Sequence, residues 1–268
     1  MPVPILLEPT TTKLTAQADG AVVVSGSHGG RYPGYAAAKA HVRAVILNDA
    51  GVGKDDAGVG SLPYLEALGI AAATVSFSSC RIGDAADMVE RGRISHANAA
   101  ARAVGVAPGM PCARAAELLR DAPHVVAQPP LLGESRAEVV VPGGKRRIML
   151  LDSAALVGPQ DVGQIVVTGS HGGLVGGKPA MALQVDAFAG VFNDAGGGAD
   201  GAGLTRLPAL EARGIAAFTV AASSARIGEA GSVFHEGVVS AANATALRLG
   251  ARIGQRAEDL LARWALLE

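Results

Sequence analysis

Two copies of one short polar motif stand out: Gly26-Ser27-His28-Gly29-Gly30 and Gly169-Ser170-His171-Gly172-Gly173. Histidine can move protons near neutral pH, and glycines let backbone N–H groups approach an anion. Each copy is followed by an Asn-Asp-Ala-Gly block (Asn48 to Gly51, Asn193 to Gly196). Next come Ser78-Ser79 with Arg81-Ile82-Gly83, or Ser223-Ser224 with Arg226-Ile227-Gly228. Aspartate can orient and charge-stabilise an imidazole. Serine at a strand-to-helix turn can act as nucleophile or oxyanion donor. Arginine suits two-pronged gripping of a carboxylate or phosphate. The expected catalytic residues are therefore His28, Asp49 and Ser79, with His171, Asp194 and Ser224 in the second copy. The expected substrate contacts are Ser27, Gly29, Gly30, Asn48, Ser78 and Arg81, with Ser170, Gly172, Gly173, Asn193, Ser223 and Arg226. Each residue type also has a purely structural use, in loop ties, Asx turns, helix caps or ion pairs to Asp49 and Asp194. Their joint recurrence at one sheet edge favours a site.

The motifs belong to an internal repeat. His28 and His171 are 171 − 28 = 143 positions apart, and Asn48 and Asn193 are 193 − 48 = 145 apart. The two extra residues fall in the loop after the second Ser-His-Gly-Gly. Residues 3–8 also resemble residues 147–152. The expected organisation is a first repeat over 1–122, a linker and hairpin over 123–145, and a second repeat over 146–268. The hairpin turns at Pro142-Gly143-Gly144.

Apolar runs at 21–25, 44–47 and 70–77, and at 164–168, 190–192 and 215–222, read as buried strands. Between them lie helix-forming segments such as 36–42. Pro63 and Pro208 suit a first helical turn, and Gly69 and Gly214 a helix C-terminus. Residues 94–104 and 239–249 read as helices. The pattern predicts an internally duplicated α/β protein of parallel-sheet, three-layer, Rossmann-like halves related by a pseudo-twofold. Ligands bind such sheets at the carboxyl ends of the strands, where the polar motifs lie. Repeat one keeps more reactive side chains. It has Arg31, Tyr32, Lys54, Asp56, Cys80 and His96 where repeat two has Leu174, Val175, Ala199, Gly201, Ala225 and Ala241.

Familiar cofactor motifs nearly match and then fail. Residues 172–178 have P-loop spacing, but Pro179 stands where Ser or Thr would hold magnesium. Residues 196–201 satisfy G-x-G-x-x-G, but Asp56 replaces the last glycine in repeat one. No HxH or HExxH spacing supports a metal at His28, Asp49 and Asp55. Neither a cofactor nor a metal is expected. The strands ending in Ser-His-Gly-Gly and Asp-Ala-Gly resemble the His-Gly and Ala-Cys blocks of caspase-like proteases. Glycine occupies Gly51 and Gly196 where that family needs cysteine, so protease activity is not implied.

Composition excludes whole classes. With 268 residues, 49% hydrophobic and 18% charged, the chain is not of the disordered type. A net charge of -1 provides no basic field for nucleic acid or anionic lipid. No apolar run approaches the roughly 18–20 residues of a membrane span. The first 13 residues lack signal-peptide character, and two cysteines give no disulfide framework. The expectation is a cytoplasmic protein acting on a small, anionic molecule, without nucleic acid or membrane, and with homo-oligomerisation open. The leading function is hydrolysis of an amide or lactam bond in a polar carboxylated substrate. The alternatives are a cofactor-independent lyase or isomerase, and an anion- or nucleotide-binding module without catalysis.

Overall fold

The computed structural model describes residues 2–268. In the first half, β1 (Ile5–Glu8), β2 (Val22–His28), β3 (Ala44–Asn48) and β4 (Ala71–Val75) pair in parallel in that order, and β5 (Ile94–Ala97) adds antiparallel to β4. In the second half, β6 (Arg136–Val139) pairs antiparallel with β7 (Ile148–Leu151), forming the expected hairpin. Strands β7, β8 (Ile165–His171), β9 (Ala189–Asn193) and β10 (Ala216–Val220) are parallel, and β11 (Val239–Ala242) closes the edge antiparallel.

Alternate residues of each central strand face opposite sides, and both sides are covered. Val22 and Val24 of β2 face a core with Met88 and Leu119, supplied by α3 (Ala85–Arg91) and α5 (Cys112–Leu119). Val23, between them, faces Leu62 and Leu65 of α2 (Ser61–Ala67) and Ala37 of α1 (Arg31–Lys39). The second half repeats the arrangement with larger side chains. Phe218 and Trp264 lie on one face and Phe192 and Leu210 on the other. The molecule is thus the internally duplicated three-layer α/β fold that strand and helix alternation implied.

Two expected helices begin later than their sequence suggests. Residues 94–97 and 239–242 are strands, with Ser95 and Ser240 hydroxyls bonded to Thr74 and Thr219 across the ladder at 3.0 and 2.9 Å. The helices α4 (Ala99–Ala103) and α8 (Ala244–Arg248) start only after Asn98 and Asn243, whose side chains cap them. Repeat two also lacks a counterpart of α1. Gly176 and Gly177 sit at φ 61° and 66° and Pro179 follows, so only two short 3-10 turns form there.

The halves meet at the carboxyl ends of their strands through reciprocal contacts, as a pseudo-twofold requires. Lys54 N–H donates to Ala222 O and Ala199 N–H to Phe77 O, both at 2.9 Å. These are the same contact viewed from each half, since 54 and 77 correspond to 199 and 222. Arg226 pairs with Asp55 at 2.7 Å and Arg81 with Asp200 at 2.8 Å, again as mates. Gly51 and Gly196 lie at the axis with φ 78° and 75°, and a Cβ on either would come within 3.0 Å of the other's Cα. Ala50, Ala195, Ile82, Ile227 and Ala202 fill the seam around them.

Candidate functional site

Strands β2 and β8 run on through their Ser-His residues. In each, the ladder register shifts between the valine run and the histidine, so that His28 pairs with Asn48 and His171 with Asn193. Such irregularities re-aim side chains, and here both histidines enter a cleft between the halves. His28 Nδ1 accepts the Gly30 N–H at 3.1 Å, and His171 Nδ1 accepts the Gly173 N–H at 3.2 Å. A ring nitrogen facing an N–H must present its lone pair, so the neutral imidazole carries its proton on Nε2. Nε2 of neither ring makes a hydrogen bond among the described residues.

The last glycine of each motif makes room for this contact. A Cβ at Gly30 would lie 2.6 Å from His28 Nδ1, and one at Gly173 3.0 Å from His171 Nδ1. Each ring then packs toward the other half. A Cβ at Gly228 would stand 3.4 Å from His28 Cε1, and one at Gly83 3.6 Å from His171 Cε1. Burial pushes His28 down to about 4. His171 lies well below the usual histidine value through burial, then through the Arg206 charge and His28. Both rings are neutral at pH 7, so each presents an N–H donor to the cleft.

The cavity between the rings is about 120 Å³, in the range where roughly 150 Å³ admits a benzene-sized molecule. Its walls are rich in hydroxyls, including Thr10, Thr11, Ser27, Ser153 and Ser170. Glu134 from the linker and Tyr32 from α1 also line it. Burial pushes the Glu134 carboxyl above its ordinary value, partly offset by the Tyr32 and Ser153 hydroxyls. Tyr32 is raised by burial and then by Glu134. Arg206, from α6 (Arg206–Glu211), is buried in the wall beside His171. Two further exits of the chain toward the cleft are fixed by serines. Ser27 Oγ accepts the Thr11 N–H at 3.0 Å, and Ser170 Oγ the Ala154 N–H at 2.9 Å.

Of the expected catalytic and substrate-contacting residues, Ser27, His28, Ser170 and His171 line this cleft, as does Tyr32, one of the reactive side chains kept by repeat one alone. The others are held elsewhere, in matching fashion in both halves. Asp49 accepts the Gly51 and Phe77 N–H groups at 3.1 and 2.8 Å, and Asp194 those of Gly196 and Ala222 at 2.9 and 2.9 Å. No hydrogen bond joins either aspartate to a histidine. Asn48 and Asn193 each accept an N–H two residues on, from Ala50 and Ala195. Ser79 and Ser224 each donate to a carbonyl three residues back and accept an N–H from Arg93 or Val238. Ser78 and Ser223 are exposed.

Arg81 and Arg226 lock the two halves together. Arg226 is further held by Glu229 and Glu236, and Arg81 by Asp87. The expected pairs to Asp49 and Asp194 do not form. The N–H groups of Gly29 and Gly172 close the ladder to Asn48 O and Asn193 O, and those of Gly30 and Gly173 serve the histidines. The expected triad, arginine grip and glycine cradle therefore resolve into loop ties and a seam. The physical reason is that the motifs after β3, β4, β9 and β10 largely turn inward to the contact between halves, while β2 and β8, with the segments that follow β1 and β7, open on the cleft. Cys80 is buried, bonded weakly with Asn48, and pushed up to about 12 by burial, which leaves no reactive thiolate.

The cleft residues that motif reading missed were visible as exceptions to the repeat. Arg206 stands where Ser61 occurs in repeat one, Tyr32 where Val175 occurs in repeat two, and Glu134 lies in the linker with no counterpart. Among the described residues no cluster of His, Cys, Asp and Glu could hold a metal ion, and no helix is long and apolar enough to cross a membrane. The chain matches no family model, no curated protein and no solved structure.

Proposed function

We propose that the cleft between the halves is the active site of an enzyme that moves a proton adjacent to a carbonyl group in a small polar molecule, an isomerase or a lyase. The observation that carries this reading is a pair of neutral imidazoles lining one cavity, whose Nδ1 atoms accept backbone N–H groups and whose Nε2–H groups have no protein partner among the described residues. An imidazole in that state cannot accept a proton at Nε2, so neither histidine serves as base. It can polarise a carbonyl and hold the oxyanion that develops.

The base in this scheme is Glu134, whose burial raises its proton affinity toward the operating range. It takes the proton from the carbon beside the carbonyl, and the C–H electron pair moves into an enolate whose oxygen lies between the two Nε2–H groups. Return of the proton to the opposite face of the same carbon, or to another carbon where the enolate is conjugated or carries an α-hydroxyl group, completes an isomerisation. Expulsion of a β-substituent, with the proton delivered from Glu134 or Tyr32, completes an elimination. Amide or lactam hydrolysis is the second reading, since the same donors suit a tetrahedral oxyanion. It is disfavoured by the engagement of Ser79 and Ser224 in turn contacts.

Ring 15N spectra test the foundation. Both histidines should show a protonated Nε2 and an unprotonated Nδ1 at pH 7, and a proton on Nδ1 overturns the scheme. For the reaction, small oxo- and hydroxy-acids are incubated in D2O and followed by 1H NMR. Glu134→Gln should slow proton exchange about 10²–10⁴-fold, and His28→Ala or His171→Ala about 10²–10³-fold.

A further inference from the structure

Arg206 is one of the molecule's most deeply buried charges, 3% exposed, and it has no acidic partner among the described residues. Its Nε donates to Gly173 O at 3.1 Å, and its Nη1 donates to Met181 O at 3.1 Å and to Ala182 O. Its guanidinium carbon lies 4.9 Å from the Phe192 ring centre. Its Nη2 makes no hydrogen bond among the described residues, while the residue lines the cleft. Burial of a cation with only neutral partners is unfavourable unless an anion completes it. Burial lowers Arg206 only to about 10, so it stays charged at neutral pH.

The two halves show that this arginine is an addition to the shared scaffold. The Arg206 N–H donates to Gly172 O at 2.8 Å, as the Ser61 N–H does to Gly29 O at 2.8 Å. The backbone contact is common to both halves and the guanidinium belongs to one. The cleft also holds two carboxylates, Glu134 and Asp152, and neither pairs with Arg206 among the described residues. Asp152 has both carboxylate oxygens accepting backbone N–H groups, from Ser135 and Ala230 at 2.7 and 3.0 Å. Lys13 lines the cleft without an acidic partner among the described residues.

We propose that Arg206 is the anchor for a carboxylate on the ligand of this cleft, and that its presence in one half alone orients that ligand. The proposal rests on the cleft being the active site. An α-oxo carboxylate would place its carboxylate at Nη2, beside His171, and its carbonyl between the imidazole N–H groups. Arg206 in this role is a specificity residue for a carboxylated carbonyl compound. It replaces Arg81 and Arg226, whose guanidinium groups are committed to the seam.

The test titrates the protein with pyruvate and with its neutral counterpart pyruvamide, following the His28 and His171 ring resonances. Pyruvate should bind about ten- to hundredfold more tightly than pyruvamide, the worth of a hydrogen bond to a charged group. Arg206→Met should abolish that preference and Arg206→Lys should keep part of it. Arg206 also ties the loop at 181–182, so the wild-type comparison of the two probes stands even where Arg206→Met fails to fold. Equal affinities for the two probes in the wild type overturn the anchor while leaving the cleft as the site. If neither probe shifts either ring, the cleft reading falls and the anchor falls with it.

Discussion

Asp49 and Asp194 accept the same pair of backbone N–H groups in their respective halves, and Ser79 and Ser224 bind the same carbonyl and amide positions. Ser61 and Arg206 share only a backbone bond. Tyr32 faces the cleft from a helix, and Val175 from a 3-10 turn. What the halves have in common builds turns and the seam between them. What they do not share, apart from the two histidines, gives the cleft its chemistry. Identity between repeats thus marks scaffold, and departure from identity marks the groups proposed to handle the ligand. The cores differ as well. Leu119 occupies in repeat one the place that Trp264 holds in repeat two, where the indole packs edge-on against Phe218 and donates to Leu249 O.

The comparison can be pressed first at those cores. Trp264→Ala should cost about 3–5 kcal/mol, and Leu119→Ala toward the lower end of about 2–5 kcal/mol, read by urea denaturation. One shared transition is expected in both variants, because the reciprocal seam couples the halves. Two separated transitions would show the halves folding independently.

Acid tests the histidines that the halves do share. Both imidazoles bind a proton more weakly in the folded protein than in the unfolded chain, so the unfolded chain takes up more protons as pH falls. Stability should be full above about pH 6.5 and decline toward pH 4, with roughly 3 kcal/mol attributable to His28 at about 1.4 kcal/mol per pH unit. Denaturation midpoints at pH 7, 5.5 and 4.5 measure this. His28→Asn combined with His171→Asn should flatten the decline, and an unchanged slope would remove the histidines as its cause.

Smaller effects probe the scaffold. Asp49→Ala and Asp194→Ala should each destabilise by about 1–3 kcal/mol and by similar amounts, since each leaves two N–H groups without a partner. A loss of turnover in Asp49→Ala beyond its loss of folded protein would return that aspartate to the catalytic set. Smallest of all, Arg81→Ala should cost about 0.2–1 kcal/mol, because its guanidinium is half exposed and Arg91 still pairs with both Asp87 and Asp200, and the cost should shrink in high salt.

Much of the architecture was legible because apolar runs of strand length alternated with helix formers, and the same order appeared twice. Helix starts at Asn98 and Asn243 were harder to see. A hydroxyl and alanine run suits either a strand or a helix, and the choice fell to cross-strand partners Thr74 and Thr219. The loss of α1 in repeat two was written in Gly176, Gly177 and Pro179. At the site, the two histidines and their neighbouring serines were found from the motif itself. Asp49, Ser79 and Arg81 were read as chemistry because their side chains are reactive types, yet reactivity depends on whether hydrogen-bond capacity is left over, and here backbone amides and carboxylates use it.

The sequence by itself determined that the chain is built twice from one α/β unit and that polar motifs gather at one edge of each sheet, because strand periodicity and motif order are local properties. Only the tertiary structure decided which of those motifs opens on a cleft. It also decided which nitrogen of each histidine holds a proton and that the buried Arg206 has no acid beside it among the described residues. Those outcomes depend on how two sheet edges meet, and on Glu134 and Arg206 arriving at His28 and His171 from segments distant in the chain.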